Sequence, residues 1–122
     1  MVDDFEPWRR FVSSTLRKEP GLQVVGEASD GLEAFQKAVE LEPDLILLDL
    51  GLPTLNGIEA ARRIREIVPD AKIIFLSEES SAAIVQEAMS LGARGYVVKT
   101  MAAVDLVTAV ETVLSGMKFV SI

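Results

Sequence analysis

Five residues carry most of the chemistry this chain could do: the acidic pair Asp3-Asp4, the carboxylate Asp49, the hydroxyl Ser77 and the amine Lys99. Clustered carboxylates repel and stay ionised at neutral pH only when a cation shares the site. Carboxylate oxygens supplemented by water suit Mg²⁺, a hard cation that commonly bridges to phosphate. A carboxylate neutralised in this way can attack phosphorus and form an aspartyl phosphate. The outer oxygens of the transferring group then call for a metal, an ammonium and a hydroxyl. Asp49 as nucleophile, Mg²⁺ held by Asp4 and Asp49, Lys99 and Ser77 fill those roles. Taken singly, each residue has a plainer reading: a polar cap for Asp3-Asp4, a loop cap for Asp49, a turn residue for Ser77, a surface amine for Lys99. The combination has meaning only if the fold gathers them.

The gathering element is the stretch Pro43-Asp44-Leu45-Ile46-Leu47-Leu48-Asp49-Leu50-Gly51-Leu52-Pro53. Its apolar run has no polar face, and Pro43, Gly51 and Pro53 leave no room for helical turns. It predicts a strand covered on both faces, as in parallel sheets flanked by helices. Lys72–Ser77 and Gly95–Lys99 predict two more apolar strands, Leu22–Ala28 a looser edge strand, and Met1-Val2 the remnant of a first strand. Between them lie five helical patterns. Phe5–Lys18 carries Phe5, Trp8, Val12 and Leu16 inward, with Arg9 and Arg10 outward as a candidate docking surface. A helix after Ser29-Asp30-Gly31 turns Ala34, Phe35, Ala38 and Val39 inward. One running to about Val68 buries Ile58, Ala61, Ile64 and Val68. One capped by Ser80-Ser81 buries Ile84, Val85, Ala88 and Met89. Met101–Leu114 presents Ala103, Leu106, Val107, Val110 and Leu114. Strand and helix alternate five times, which requires a parallel sheet with right-handed crossovers. In such sheets ligands bind at the carboxyl ends of the strands, where Asp3-Asp4, Asp49, Ser77 and Lys99 all fall.

Composition narrows the function classes. The 122 residues predict one domain, residues 1–122, with no linker or low-complexity tract. Nineteen acidic against 12 basic residues give a net charge of −7, which argues against direct nucleic-acid binding by this segment. There is no cysteine and no histidine, so disulfide, thiolate and phosphohistidine chemistry within the chain are excluded. No membrane span or signal peptide is legible, and a cytoplasmic location is expected.

At the Asp3-Asp4 pair, Asp49 followed by Leu-Gly-Leu-Pro and Asn56-Gly57, Ser77 and Lys99, at spacings of 45, 28 and 22 residues, the chain resembles the response-regulator receiver domains of bacterial two-component signalling. The resemblance implies a flavodoxin-like (βα)5 three-layer sandwich with a five-stranded parallel sheet in the order 2-1-3-4-5, its first strand truncated here. It implies that Asp49 is the phosphoacceptor and that Asp4, Asp49 and the Gly51 carbonyl bind Mg²⁺, with Asp3 assisting through water. It implies that Ser77 and Lys99 bind the phosphoryl oxygens, and that Tyr96 is a switch aromatic that follows the hydroxyl inward. A half-buried strand aromatic is the plainer alternative for Tyr96. The donor would be a sensor histidine kinase, and the first and last helices could form a homodimer face. The Gly95–Thr100 stretch and the Gly116–Ser121 tail look most like regulators with a LuxR-type helix-turn-helix output domain, pointing to transcription regulation; no such domain is legible in these residues.

The chain departs from the family pattern at four places. Met1-Val2 is short for a strand at the sheet centre, so either upstream residues are missing or the sheet closes poorly. Glu78 follows Ser77 where a small residue is usual, and is expected to repel an incoming phosphodonor. Thr100, not proline, follows Lys99. Gly51 offers no side chain to influence hydrolysis. The competing readings are an aspartyl-phosphate hydrolase, which lacks its second acid because Gly51 stands there; a flavin-binding module, which would place its phosphate cradle where Asp3-Asp4 stands; and a degenerate receiver that acts as a phosphate-independent interaction domain. The chain is expected to be no enzyme beyond self-phosphorylation from a donor and slow self-dephosphorylation.

Overall fold

A computed structural model describes residues 1–121 and arranges them as an α/β sandwich. In chain order the elements are α1 Glu6–Arg17, α2 Gly31–Leu41, β1 Leu45–Asp49, α3 Gly57–Ile67, β2 Lys72–Ser77, α4 Ala82–Ser90, β3 Gly95–Val98, a 3₁₀ turn Lys99–Met101, α5 Ala102–Leu114 and β4 Phe119–Val120. The four strands form one parallel sheet in the order β1-β2-β3-β4.

Strand pleat divides the core in two. Ile46 and Leu48 of β1, Ile73 and Phe75 of β2, and Tyr96 and Val98 of β3 meet Ala34, Ala38, Ala60, Ala61, Ile64 and Ala88 from α2, α3 and α4. The alternate residues Leu47, Ile74, Leu76 and Val97 meet Val12 and Leu16 of α1 and Leu106, Ala109, Val110 and Val113 of α5. Both faces of the strands are therefore apolar, which is why β1 shows no polar alternation in sequence.

The expected five strands in the order 2-1-3-4-5 are met only in outline. Val2 makes isolated parallel bridges to Ala28 on one side and Leu48 on the other. Lateral order is thus the expected one, Ala28, Val2, β1, β2, β3, but Met1-Val2 and Leu22–Ala28 are not strands. Pairing on this flank runs through Met1 to Asp3: the Met1 amino group donates to the Gly26 carbonyl at 3.1 Å, Ala28 N to Met1 O at 3.0 Å and Asp3 N to Ala28 O at 3.1 Å. A cavity of about 520 Å³, lined in part by Leu22, Val24, Leu45 and Val110, occupies that flank. At the opposite edge the sheet gains β4, which the sequence did not announce; it pairs with β3 through Gly95–Phe119 and Tyr96–Val120.

Three helical stripes also need correction: Phe5, read as inward on α1, is its exposed N-cap residue. Val39 is exposed on α2, and on α5 the buried residues are Ala102, Leu106, Ala109, Val110 and Val113, with Ala103 and Leu114 outward. Ala102-Ala103-Val104 is apolar at every position, so periodicity cannot phase this helix and packing decides. Helix starts follow their caps. The Asp30 side chain accepts from Glu33 N at 2.8 Å while Glu33 accepts from Ser29 N at 2.7 Å, and Asn56 accepts from Glu59 N at 2.9 Å. Gly57 is required where it stands: a Cβ there would lie 2.1 Å from the Asp49 carbonyl oxygen. That close approach folds the loop after β1 back against the strand tip, and Gly57 N donates to Leu50 O at 2.9 Å.

Candidate functional site

Three backbone segments bring the chemistry together. Val2 is clamped beside β1, its N–H on Leu47 O at 2.9 Å and its carbonyl accepting from Asp49 N at 3.0 Å. This places Asp3-Asp4 one step past the bridge, level with the end of β1. β3 ends at Val98, and the 3₁₀ turn directs Lys99 back over the sheet edge.

Lys99 Nζ lies 2.7 Å from Asp3 Oδ2 and 3.7 Å from Asp49 Oδ1. One carboxylate oxygen from each of Asp3, Asp4 and Asp49 lies within 4.8 Å of the others. Asp3 is fully buried and Asp49 nearly so, whereas Asp4 is exposed. Both Asp3 oxygens are engaged, Oδ2 by Lys99 and Oδ1 by Phe5 N at 2.9 Å. Asp49 receives one long contact, from Gly51 N at 3.4 Å. Hard oxygen donors at this separation, one of them open to water, fit a small divalent cation such as Mg²⁺, with Asp4 and Asp49 the freer ligands.

The electrostatics are those of a site short of positive charge. Burial pushes the Asp49 carboxyl above its ordinary range; the neighbouring Asp3 and, less strongly, Asp4 add to this, while Lys99 and the Gly51 amide oppose it. For Lys99, burial alone would lower the pKa, but the hydrogen bond to Asp3 and the charges of Asp49, Asp3 and Glu78 outweigh it and hold the amine above its usual range. The exposed Glu78 side chain is therefore electrically part of the site.

Ser77 ends β2, one residue beyond the Asp49–Leu76 register pair, and is buried. Its Oγ accepts from Glu79 N at 3.0 Å. Tyr96 is not the half-buried aromatic of the plainer reading; it is fully buried, and its hydroxyl donates to the Glu79 carbonyl at 2.7 Å. Burial raises its pKa, with the Ser77 hydroxyl working the other way and the Glu79 charge adding to it. The Glu79 backbone thus links Ser77 to Tyr96. Gly51 is exposed beside Asp49.

Sequence reasoning misplaced Arg9 and passed over Trp8. Arg9 is not a free outward cation: its Nη1 donates to the Asp3 carbonyl at 2.7 Å and its Nε lies 3.5 Å from Glu27. Arg10 is exposed and pairs with Glu6. Trp8, read as a core residue, lies under the Lys99 ammonium, 5.3 Å from ring centroid to Nζ. Helical spacing identified its inward direction; nothing local could identify the lysine it meets.

Comparison with known proteins bears on the fold and the family. The family described as response regulator receiver domain matches residues 1–111. The chain is 40% identical over 116 residues to the transcriptional regulatory protein LnrK of Bacillus subtilis, covering 95% of this chain and 53% of that protein. It is 38% identical over 115 residues to the response regulator protein VraR of Staphylococcus aureus, covering 94% and 55%. Among solved structures, a LuxR-family two-component response regulator from Aurantimonas sp. superposes with a TM-score of 0.92 at 36% identity, covering 97% of this chain and 84% of that one. The isolated receiver domain of RcsB from Salmonella enterica serovar Typhimurium, solved with a beryllofluoride phosphomimetic, gives 0.91 at 26% identity, covering 98% and 89%. The chain spans about half the length of the curated relatives it matches, and β4 lies beyond residues 1–111, which the family matches. Among the described residues no helix is long and apolar enough to cross a membrane.

Proposed function

The chain belongs to the response regulator receiver domain family, and on that premise we propose that it is a phosphorylation-controlled switch in which Asp49 accepts the phosphoryl group. The observation that carries this reading is the Lys99 ammonium held between Asp3 at 2.7 Å and Asp49 at 3.7 Å, beside three carboxylates within 4.8 Å of one another.

An Asp49 carboxylate oxygen attacks the phosphorus of the donor. A P–O bond forms while the donor's bond to phosphorus breaks, P–N in a kinase phosphohistidine or P–O in acetyl phosphate, and the donor leaves with that electron pair. Mg²⁺, held by Asp4, Asp49 and the Gly51 carbonyl with Asp3 acting through water, would supply charge neutralisation for the acids and the incoming oxygens. Lys99 stabilises a phosphoryl oxygen from the Asp3 side, and the Ser77 hydroxyl, turning from Glu79, meets another. Because the Glu79 backbone also holds the hydroxyl of the already buried Tyr96, recruitment of Ser77 changes the contact that positions Tyr96. That exposed loop and α4 are the face through which an attached output module or a second copy reads the state. The partners proposed are a sensor histidine kinase as donor, since the chain has no histidine, and a DNA-binding output acting in transcription control in the cytoplasm, a reading supported by the relatives being named transcriptional and response regulators. Turnover is limited to slow hydrolysis of the aspartyl phosphate, because Gly51 provides no acid or base two residues after Asp49.

The test is labelling by radioactive acetyl phosphate with Mg²⁺. Wild type should take up one equivalent, Asp49→Asn none, and chelation should abolish uptake. Label persisting in Asp49→Asn moves the acceptor elsewhere. A second reading, a phosphate-independent interaction domain, has one observation in its favour: Tyr96 is already fully buried and bonded to Glu79. Wild type that takes no label while retaining partner binding would establish it.

A further inference from the structure

Trp8 is the single tryptophan of the chain and stands in the first turns of α1, five residues after Asp3. Its ring centroid lies 5.3 Å from Lys99 Nζ. The ring also packs against Phe11 at 5.3 Å between centroids and an interplanar angle of 37°. Its indole N–H is shielded from solvent and has no hydrogen-bond partner among the described residues, so no polar contact holds the ring in place. The Lys99 ammonium therefore has three neighbours: Asp3 at 2.7 Å, Asp49 at 3.7 Å and the face of Trp8.

A lysine chain has four rotatable bonds and its head group prefers water. Asp3 alone fixes one hydrogen bond and leaves the ammonium free to swing toward the exposed Asp4 and Glu78. The negative face of an aromatic ring attracts a cation, most strongly for tryptophan, and keeps water from one side of it. We propose that Trp8 is a positioning residue: its ring holds the Lys99 ammonium on the Asp3–Asp49 side, ready for a phosphoryl oxygen on Asp49. This rests on Asp49 being the acceptor. The contact links α1, the first helix after the acidic pair, to the turn after β3, so a partner that shifts α1 would also shift Lys99.

Two measurements test it. In chelator, with no phosphodonor, the emission of Trp8 should differ between wild type and Lys99→Met, because a cation over an indole alters its excited state; identical spectra overturn the contact. With acetyl phosphate and Mg²⁺, Trp8→Leu, which keeps apolar bulk, should label about three- to tenfold more slowly than wild type, and Trp8→Phe should recover most of the rate. Circular dichroism and thermal unfolding establish that each variant is folded. If wild type labels and Trp8→Leu labels equally fast, the positioning role is overturned while the acceptor assignment stands. If wild type takes no label, the acceptor assignment fails and the positioning role with it, whatever the emission shows.

Discussion

Replacing Asp49 with asparagine should make the metal-free protein more stable while removing its capacity to accept phosphate. The Asp49 side chain is 11% exposed, and its carboxylate lies within 4.8 Å of oxygens on Asp3 and Asp4, with one ammonium at 3.7 Å. At an effective dielectric constant of about 20, a like charge 4.8 Å away costs about 3.5 kcal/mol and an opposite charge 3.7 Å away contributes about 4.5 kcal/mol. Repulsion by Asp3 and attraction by Lys99 therefore come close to cancelling, leaving desolvation and the screened charge of Asp4 to set the sign. Both oppose ionisation, in keeping with the raised pKa of Asp49. Asparagine removes the charge at almost constant volume, for an expected gain of about 1 kcal/mol. In a 122-residue domain that is about 4 °C in Tm. The pH dependence has a definite sign. An acid whose folded pKa is raised destabilises the fold fully above that value and not at all below its unfolded value, 3.8. The advantage of the variant should accordingly shrink as the pH falls from neutrality toward 3.8. Thermal unfolding followed by circular dichroism, in chelator across that range and again in saturating Mg²⁺, reads both effects. Mg²⁺ should stabilise wild type more than the variant, narrowing or reversing the order. A lower Tm for Asp49→Asn in chelator at neutral pH, or an advantage that grows on acidification, would refute the reasoning.

Three other outcomes follow from the same geometry. Lys99→Met leaves Asp3 buried without its counter-ion and should cost about 3–5 kcal/mol in chelator, measured by urea unfolding, with part recovered on adding Mg²⁺. Glu78→Ala removes a negative charge close enough to raise Lys99, and should speed labelling by acetyl phosphate about two- to fivefold at low salt, an effect that fades as salt screens it; an unchanged rate counts against any repulsion of the donor. Tyr96→Phe loses the 2.7 Å bond to the Glu79 carbonyl and should cost about 1–2 kcal/mol, accompanied by faster amide exchange in residues 77–81 at unchanged labelling of Asp49.

The strand tips were legible because a parallel strand buried on both faces needs an uninterrupted apolar run, and the first polar residue after it marks its carboxyl end. Asp49 and Ser77 each close such a run, Lys99 follows the third directly, and the structure gathers Asp3, Asp4, Asp49 and Lys99. The caps at Asp30 and Ser81 were legible because capping is a bond between near neighbours in sequence. What sequence could not determine depends on partners distant along the chain. Leu22–Glu27 has the composition of a strand but is not one; a strand is defined by its ladder of bonds to a second backbone, and the bond here is that of the Met1 amino group to the Gly26 carbonyl. Phe119–Val120 is too short to announce itself and becomes β4 only because β3 offers a free edge. The inward face of α5 is set by packing, since its first turn is apolar on every side. Arg9 was assigned to solvent by helical phase, yet it is held by the Asp3 carbonyl and Glu27. Local pattern thus established which residues stand at the ends of strands. Only the closed tertiary structure placed Trp8 beneath Lys99 and Tyr96 on Glu79, because those contacts join segments about 90 and 17 residues apart and arise when both halves of the core pack at once.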